Sequence, residues 1–373
     1  MSTTPQPAGR HVAVEPPPPQ GFWNEFRDAV SPRTVILIVG VLFLQLSFVL
    51  SYVGAFHSPA PSQISIAVVA PEQVSARLVP QLNALDGAPL QATAVADEAT
   101  ARQQILDDTS SAALIVNPAG NTDTLLVASG GGISVSSAVQ TVLTQVEAAQ
   151  QRTLTVQDLV PIESGDGRGL TGFYLVTGWI VGGYLVAALL GVSAGARPAT
   201  TRRAIFRVGA LVPYAILSGL GGALIVDQVL GALTGHFAAL AGLGALLVFA
   251  AGAVTMAFQV MFGVLGIGLT VLVFVVLGNP SAGGAYQAQL LPGFWQFLGV
   301  VLPNGAGTDT IRRIVYFDGA GIGGNLAVIA AWAVVGAVVA IVGARFHYHR
   351  ALAVEYPRPA AAQSELSGVQ ARG

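Results

Sequence analysis

At 373 residues, of which 10% are charged and 53% hydrophobic, and with a mean hydropathy of +0.65, the chain carries too little polar surface for a water-soluble protein of its length. Its net charge of -2 gives no reason to expect a nucleic-acid partner. Every cation is arginine, which excludes a Walker A phosphate loop, and the absence of cysteine excludes disulfides and thiolate chemistry.

Residues 1–33 open with Pro5, Pro7 and the prolines at 16–19, a composition that keeps chain extended and acts as a spacer. Residues 21–30 then place Phe22, Trp23, Phe26 and Val30 on one helical face, the pattern of a helix lying in a membrane interface. Residues 34–56 form an apolar run of the length that crosses the hydrocarbon core, which takes roughly 20 residues. The run is too long for a signal-peptide core and reads as a retained anchor.

Residues 57–169 change character. They alternate β-rich runs with helical patterns: strands at 64–70, 90–96, 112–116 and 124–128, helices at 72–85 and 97–108 with Asp97 as N-cap, and a closing helix at 134–151. Such alternation predicts a small α/β layer fold held outside the membrane. Its carboxylates, Asp97 with Glu98 and Asp107 with Asp108, fall at helix ends, where capping and solvation account for them and a divalent-cation site is the alternative.

Residues 170–344 hold the other apolar runs: 170–196, 208–230, a double-length stretch at 237–277 that should fold as a hairpin turning near 255–259, and 325–344. Together with the first run they predict six spans in a 1+5 arrangement. Arg27 and Arg33, then Arg197, Arg202, Arg203 and Arg207, then Arg345 and Arg350 all fall on one side of such a chain, which makes that side the cytoplasm and places both termini there, the 345–373 tail included. The expected fold is therefore a polytopic α-helical protein of the plasma membrane with an extracytoplasmic α/β domain between its first two spans.

Four features of the membrane portion carry candidate function. The basic connection at 197–207, with Ile205 and Phe206 giving it an apolar side, reads as an orientation signal or as a docking element for a cytoplasmic partner. Asp227 is the carboxylate inside a predicted span, either a functional acid or a wetted one near the outer end. The external loop at 279–324 contains an aromatic, apolar stretch with Phe294 and Trp295, too short to span and bounded by Pro292 and Pro303, the character of a re-entrant helix. Within it Asp309 precedes Arg312 and Arg313 at helical spacing, a local ion pair or a gate. Gly178 with Gly182 and Gly191 with Gly195 offer close-packing surfaces. Ser218 and His236 share no face with a third catalytic group, and the chain offers no catalytic or metal-ligating constellation, so no enzyme activity and no cofactor of its own is expected.

The arrangement resembles the ABC-2-type permease subunits, in particular actinobacterial membrane proteins related to the phage infection protein group. The resemblance rests on Ala-Leu-Ile-Val-Asn-Pro at 113–118 with Thr-Leu-Leu-Val-Ala-Ser-Gly-Gly at 124–131. It rests also on Asn-Pro-Ser-Ala-Gly-Gly-Ala-Tyr at 279–286, Leu-Pro-Asn-Gly-Ala-Gly-Thr at 302–308 and Val-Tyr-Phe-Asp-Gly at 315–319. It implies a half-transporter that forms a homo- or heterodimer, contacts a separate cytoplasmic ATPase through 197–207, and has re-entrant helices at 290–315. ATP would then act only through the partner. The expected function is export of an amphipathic substrate. The alternative is a non-transporting membrane scaffold or receptor whose external domain binds an envelope or secretion partner.

Overall fold

The computed structural model describes residues 21–355. The proline-rich stretch before them and the residues after them lie outside the described residues. The chain divides into two compact units, Met1–Leu46 and Ser47–Gly373. In the first, α1 (Phe22–Ala29) leaves Phe22, Trp23 and Phe26 bare, with Phe22 and Phe26 stacked at 6.4 Å between ring centroids. The helix α2 (Pro32–Phe56) follows and runs from the first unit into the second.

The second unit begins with the α/β domain. Strands β1 (Ile64–Val69), β2 (Leu90–Ala94), β3 (Ala112–Ile115), β4 (Thr122–Val127) and β5 (Thr153–Asp158) form one sheet in the order β2-β1-β3-β4-β5. β1 is parallel to β2 and β3, β3 and β4 are antiparallel, and β4 and β5 are parallel. Helices α3 (Glu72–Asn83) and α5 (Ile133–Ala149) cover one face, packing Leu78, Leu82, Val139 and Leu143 on Ile66, Val68, Leu114 and Leu125. α4 (Glu98–Leu106) covers the other with Ala101 and Ile105 over Ala67, Ala113 and Leu126. Asp97 caps α4, its Oδ1 accepting the Thr100 amide at 2.7 Å.

β5 was not expected; the chain was expected to end the domain with the 134–151 helix. It is an edge strand whose side chains are almost all exposed, so Thr-Leu-Thr-Val-Gln-Asp lacks the buried alternation by which a strand is recognised in sequence. The register places the starts of β1 and β3 and the ends of β4 and β5 along one edge of the sheet. Both chain connections to the membrane helices leave from that edge.

Among the described residues, five helices are long and apolar enough to cross a membrane: Thr34–Phe56, Thr171–Ala194, Thr201–Val229, Phe237–Phe262 and Gly323–Phe346. After α2 these are α6 (Thr171–Ala194), α7 (Thr201–Leu224) continued by a π-helical turn at Ile225–Val229, α8 (Phe237–Phe262) and α13 (Gly323–Glu355). α7 starts well before residue 208, because Thr200 caps it with its hydroxyl on the Arg203 amide. α13 likewise runs past residue 344.

The apolar stretch 237–277 does fold back on itself, but at Gly263 rather than at 255–259. Thr255 satisfies its hydroxyl on the Ala251 carbonyl at 2.7 Å and stays inside α8, whereas Gly263 takes a left-handed φ of +64° that only glycine adopts without strain. The returning segment is α9 (Leu265–Val271), a π-helical stretch at Leu272–Leu277 and α10 (Gly278–Ser281). Leu265–Ser281 is 17 residues, or roughly 25 Å of helix. It begins beside Met261, whose carbonyl Arg197 bonds, and ends where residues 283–291 meet the α/β domain, so it runs from one end of the bundle to the other.

Between α10 and α13 the predicted external loop is mostly helical: α11 (Gly293–Val301) and α12 (Pro303–Tyr316). Leu302 is extended between them and Pro303 opens α12, where its missing N–H costs nothing. α12 is buried along its first two turns, and Gly307 meets Leu247 of α8 and Val176 of α6.

Candidate functional site

A polar cavity of about 300 Å3 lies where the α/β domain meets α11 and α12. Its charged lining is Asp108 from the end of α4 and Asp309, Arg312 and Arg313 from α12. Arg313 is the hub. Its Nε donates to Asp309 Oδ2 at 2.7 Å, its Nη2 reaches Asp108 Oδ2 at 2.7 Å, and its Nη1 donates to the Ala320 carbonyl at 3.1 Å. Asn325 at the start of α13 adds an Nδ2 bond to Asp309 Oδ2 at 2.8 Å. Arg312 turns the other way, donating to the Gly283 carbonyl at 3.0 Å and standing 3.8 Å from Asp309 Oδ1. The local Asp309–Arg pair read from spacing is present, and Asp108, about 200 residues earlier and with no local signal linking it to α12, completes it. Burial pushes the Asp108 carboxyl above its ordinary range, against the pull of the Arg313 charge.

A second set of bonds seats the domain on the connection between α10 and α11 and on the last turn of α12. Gln287 Oε1 accepts the Val135 amide at 3.3 Å, Ser134 Oγ donates to the Ala285 carbonyl at 2.8 Å, and Leu290 packs into the domain core. On the other side the Tyr316 hydroxyl donates to Asp166 Oδ2 at 2.6 Å. Burial, then that hydrogen bond and the Asp166 charge, raise the phenol above its ordinary range.

The pair α11–α12 is held by close backbone approach. A Cβ on Gly305 would lie 2.1 Å from the Gly299 carbonyl oxygen. Trp332 of α13 donates its indole N–H to the Val301 carbonyl at 2.7 Å, satisfying the end of α11. Asn304, 1% exposed, donates to the Phe274 carbonyl at 3.0 Å, and the Ser51 hydroxyl of α2 donates to the Val276 carbonyl. Both carbonyls belong to the π-helical stretch, whose altered hydrogen-bond ladder makes them available to neighbours. Trp295 is buried against Ala55 and Leu291, while Phe294 is 58% exposed on the outer side of α11.

At the opposite end of the bundle the basic connection separates into two roles. Arg197 donates to the Val260 and Met261 carbonyls, both at 3.2 Å, and Arg207 to the Ala194 and Gly195 carbonyls at 2.5 and 2.8 Å. Both arginines therefore cap helix C-termini, of α8 and α6 respectively. Arg202, Arg203, Ile205 and Phe206 on the first turns of α7 are exposed, Phe206 by 67%.

Asp227 sits in the π-helical turn at the domain end of α7, 8% exposed, with the Gly235 amide 3.4 Å from its Oδ1. It is not part of the Arg313 cluster. Its neighbour in the same connection, Thr234, is held by Glu163 through its amide and hydroxyl. Of the paired glycines, Gly182 meets the Tyr214 hydroxyl and Gly191 the Gln259 amide, Gly178 faces open space and Gly195 ends α6. Ser218 lies within α7, its carbonyl taken by Trp179, and His236 precedes α8; no catalytic group joins them. No cluster of three or more potential metal ligands occurs among the described residues. Compared with protein-family models, curated proteins and solved structures, the chain matches none of them.

Proposed function

We propose that this chain is the membrane subunit of an ABC-2-type permease that exports an amphipathic substrate and draws energy from a separate ATPase. The observation that carries the reading is the broken helix pair α11–α12. Its second helix, α12, is buried among α6, α8 and α13 while α11 keeps Phe294, Phe297 and Val300 exposed, and the end of α12 is tied by Arg313 to the α/β domain, with a polar cavity between them. Non-helical backbone at membrane depth is tolerated where it lines a cavity or is buried in protein, and transporters use such breaks for passage.

In this reading Leu265–Ser281 is a short sixth span, both termini and the exposed face of Arg202, Arg203, Ile205 and Phe206 are cytoplasmic, and that face receives the ATPase. The α/β domain stands outside, over the exit, and two copies of the subunit or one copy with a relative complete the pathway. The arginine distribution supports the orientation. Placement of Arg197 against the α8 carbonyls supports the grouping, because it puts the 195–200 connection and the Gly263 turn at one end.

The test is affinity purification of the full chain from membranes in mild detergent. An ATP-hydrolysing subunit is expected to accompany it and to be lost from the R202Q/R203Q double variant, which should stay folded. A complex that repeatedly contains no such subunit overturns the reading in favour of a scaffold or receptor.

A further inference from the structure

The edge of the sheet farthest from the membrane helices holds two buried carboxylates and one guanidinium. Asp123 stands on β4, Glu147 in the last turn of α5, and Arg152 just before β5. Asp123 is 1% exposed and Glu147 2%. Arg152 spends its donors on Asp123: Nε reaches Oδ2 at 2.7 Å and Nη2 reaches Oδ1, while Nη2 also bonds the Asn117 carbonyl at 2.9 Å. The Asn117 amide adds a bond to Asp123 Oδ1 at 2.7 Å. Glu147 receives nothing comparable. Its Oε2 is buried without a hydrogen-bond partner and stands 3.5 Å from Arg152 Nε, outside bonding geometry.

One cation thus faces two buried carboxylates and is committed to one of them. Adjacent buried carboxylates do not both ionise; one retains a proton and shares it with the other. We propose that Asp123 and Glu147 form a proton-binding site that clasps the far edge of the α/β domain, closed while the pair holds one proton and loosened when the proton leaves. The clasp joins the β3–β4 hairpin at Asn117 to the α5–β5 turn at Arg152, and so decides how firmly the β4–β5 edge is held.

Burial, then the hydrogen bond and charge of Asp123, push the Glu147 carboxyl up to about 7. Burial works against the Asp123 charge too, but the bonds from Arg152 and Asn117 outweigh it and hold that carboxyl below its ordinary range. α3 contributes the other charge at this edge, Arg77, across a groove of about 480 Å3 that Glu147 and Arg152 also line. The β5 carboxylate, Asp158, lies at the opposite end of its strand. The sign follows from linkage. The carboxyl of Glu147 is raised in the folded state above its ordinary 4.5, so its stabilising effect is complete below that value and is lost as pH rises through about 7.

The experiment uses the full chain in lipid nanodiscs, with amide protection at Asn117, Arg152 and Thr153 corrected for intrinsic exchange and with the infrared carboxylic-acid C=O band recorded in parallel. Between about pH 5.5 and about pH 8.5 local opening at these amides should rise roughly 30-fold, and the acid band should titrate away. E147Q, which keeps the shape and the donor of the protonated acid, should keep its protection at both pH values and lack the band. D123N removes the like charge and frees Arg152 for Glu147, so the midpoint of the band should move to lower pH even if E147Q does not fold. Equal corrected protection in the unmodified chain at both pH values, an E147Q variant that opens with pH as the unmodified chain does, or a D123N midpoint that stays in place would each overturn the proposal.

Discussion

Cutting the bond between Asp108 and Arg313 should loosen the α/β domain from α12 by a measurable, bounded amount. At 2.7 Å and an effective dielectric of about 20 the gross attraction is about 6 kcal/mol. The two side chains are 22% and 24% exposed, so solvent screening and the cost of stripping water from both groups remove most of it. Exposed pairs measure up to about 1 kcal/mol and the loss of one partner of a buried pair about 3 to 5 kcal/mol; this pair lies between, and we expect a coupling of about 2 kcal/mol. The assay is a double-mutant cycle of D108N and R313Q, read as the opening free energy of the Phe317 and Gly319 amides, both of which donate to the Arg313 carbonyl. A coupling of about 2 kcal/mol is roughly a 30-fold change in opening. R312Q is the control, because Arg312 bonds the Gly283 carbonyl rather than Asp108. A cycle that closes with a coupling below about 0.3 kcal/mol would refute the claim that the domain is tethered to the broken helix pair through this guanidinium.

Two further outcomes test the bundle itself. G305A places a methyl group 2.1 Å from the Gly299 carbonyl oxygen, which forces α11 and α12 apart; a loss of about 3 kcal/mol or more is expected in thermal unfolding, and a variant as stable as the parent would mean the two backbones do not approach so closely. R197A removes two bonds to the end of α8 and should cost about 1 to 2 kcal/mol, whereas R202Q should shift stability by less than about 0.5 kcal/mol; equal effects of the two would contradict the division of that arginine cluster into capping and free members.

Most of the elements were legible in the sequence, because apolar runs of span length and the strand–helix alternation of 57–169 are strong local signals. The anchors of the candidate site were less so. Asp309 and Arg313 are four apart on one helix and could be paired by inspection, but Asp108 reaches Arg313 only because α4 ends over α12, a fact of tertiary packing. Arg197 and Arg207 looked the same as Arg202 and Arg203, since nothing local shows which guanidinium finds an unsatisfied carbonyl. A turn near 255–259 falls on Thr255 and Gln259, yet a buried hydroxyl in a membrane helix is satisfied by its own backbone, and the residue that breaks the helix is Gly263. Glu147 was invisible for a similar reason: in sequence it is an ordinary acidic residue near a helix end, and only the fold closes Asp123 and Arg152 around it.

The way the α/β domain is rooted has a mechanical consequence. Its chain enters at the start of β1 and leaves at the end of β5, two ends on one edge of the sheet with β3 and β4 between them, roughly 14 Å apart at ordinary strand spacing. The domain is thus a caliper: a change in distance between the last turn of α2 and the first turn of α6 pulls those strands apart from below, peeling ladder bonds in succession instead of shearing them together. The sheet yields at its roots, and the opposite edge serves as the fulcrum.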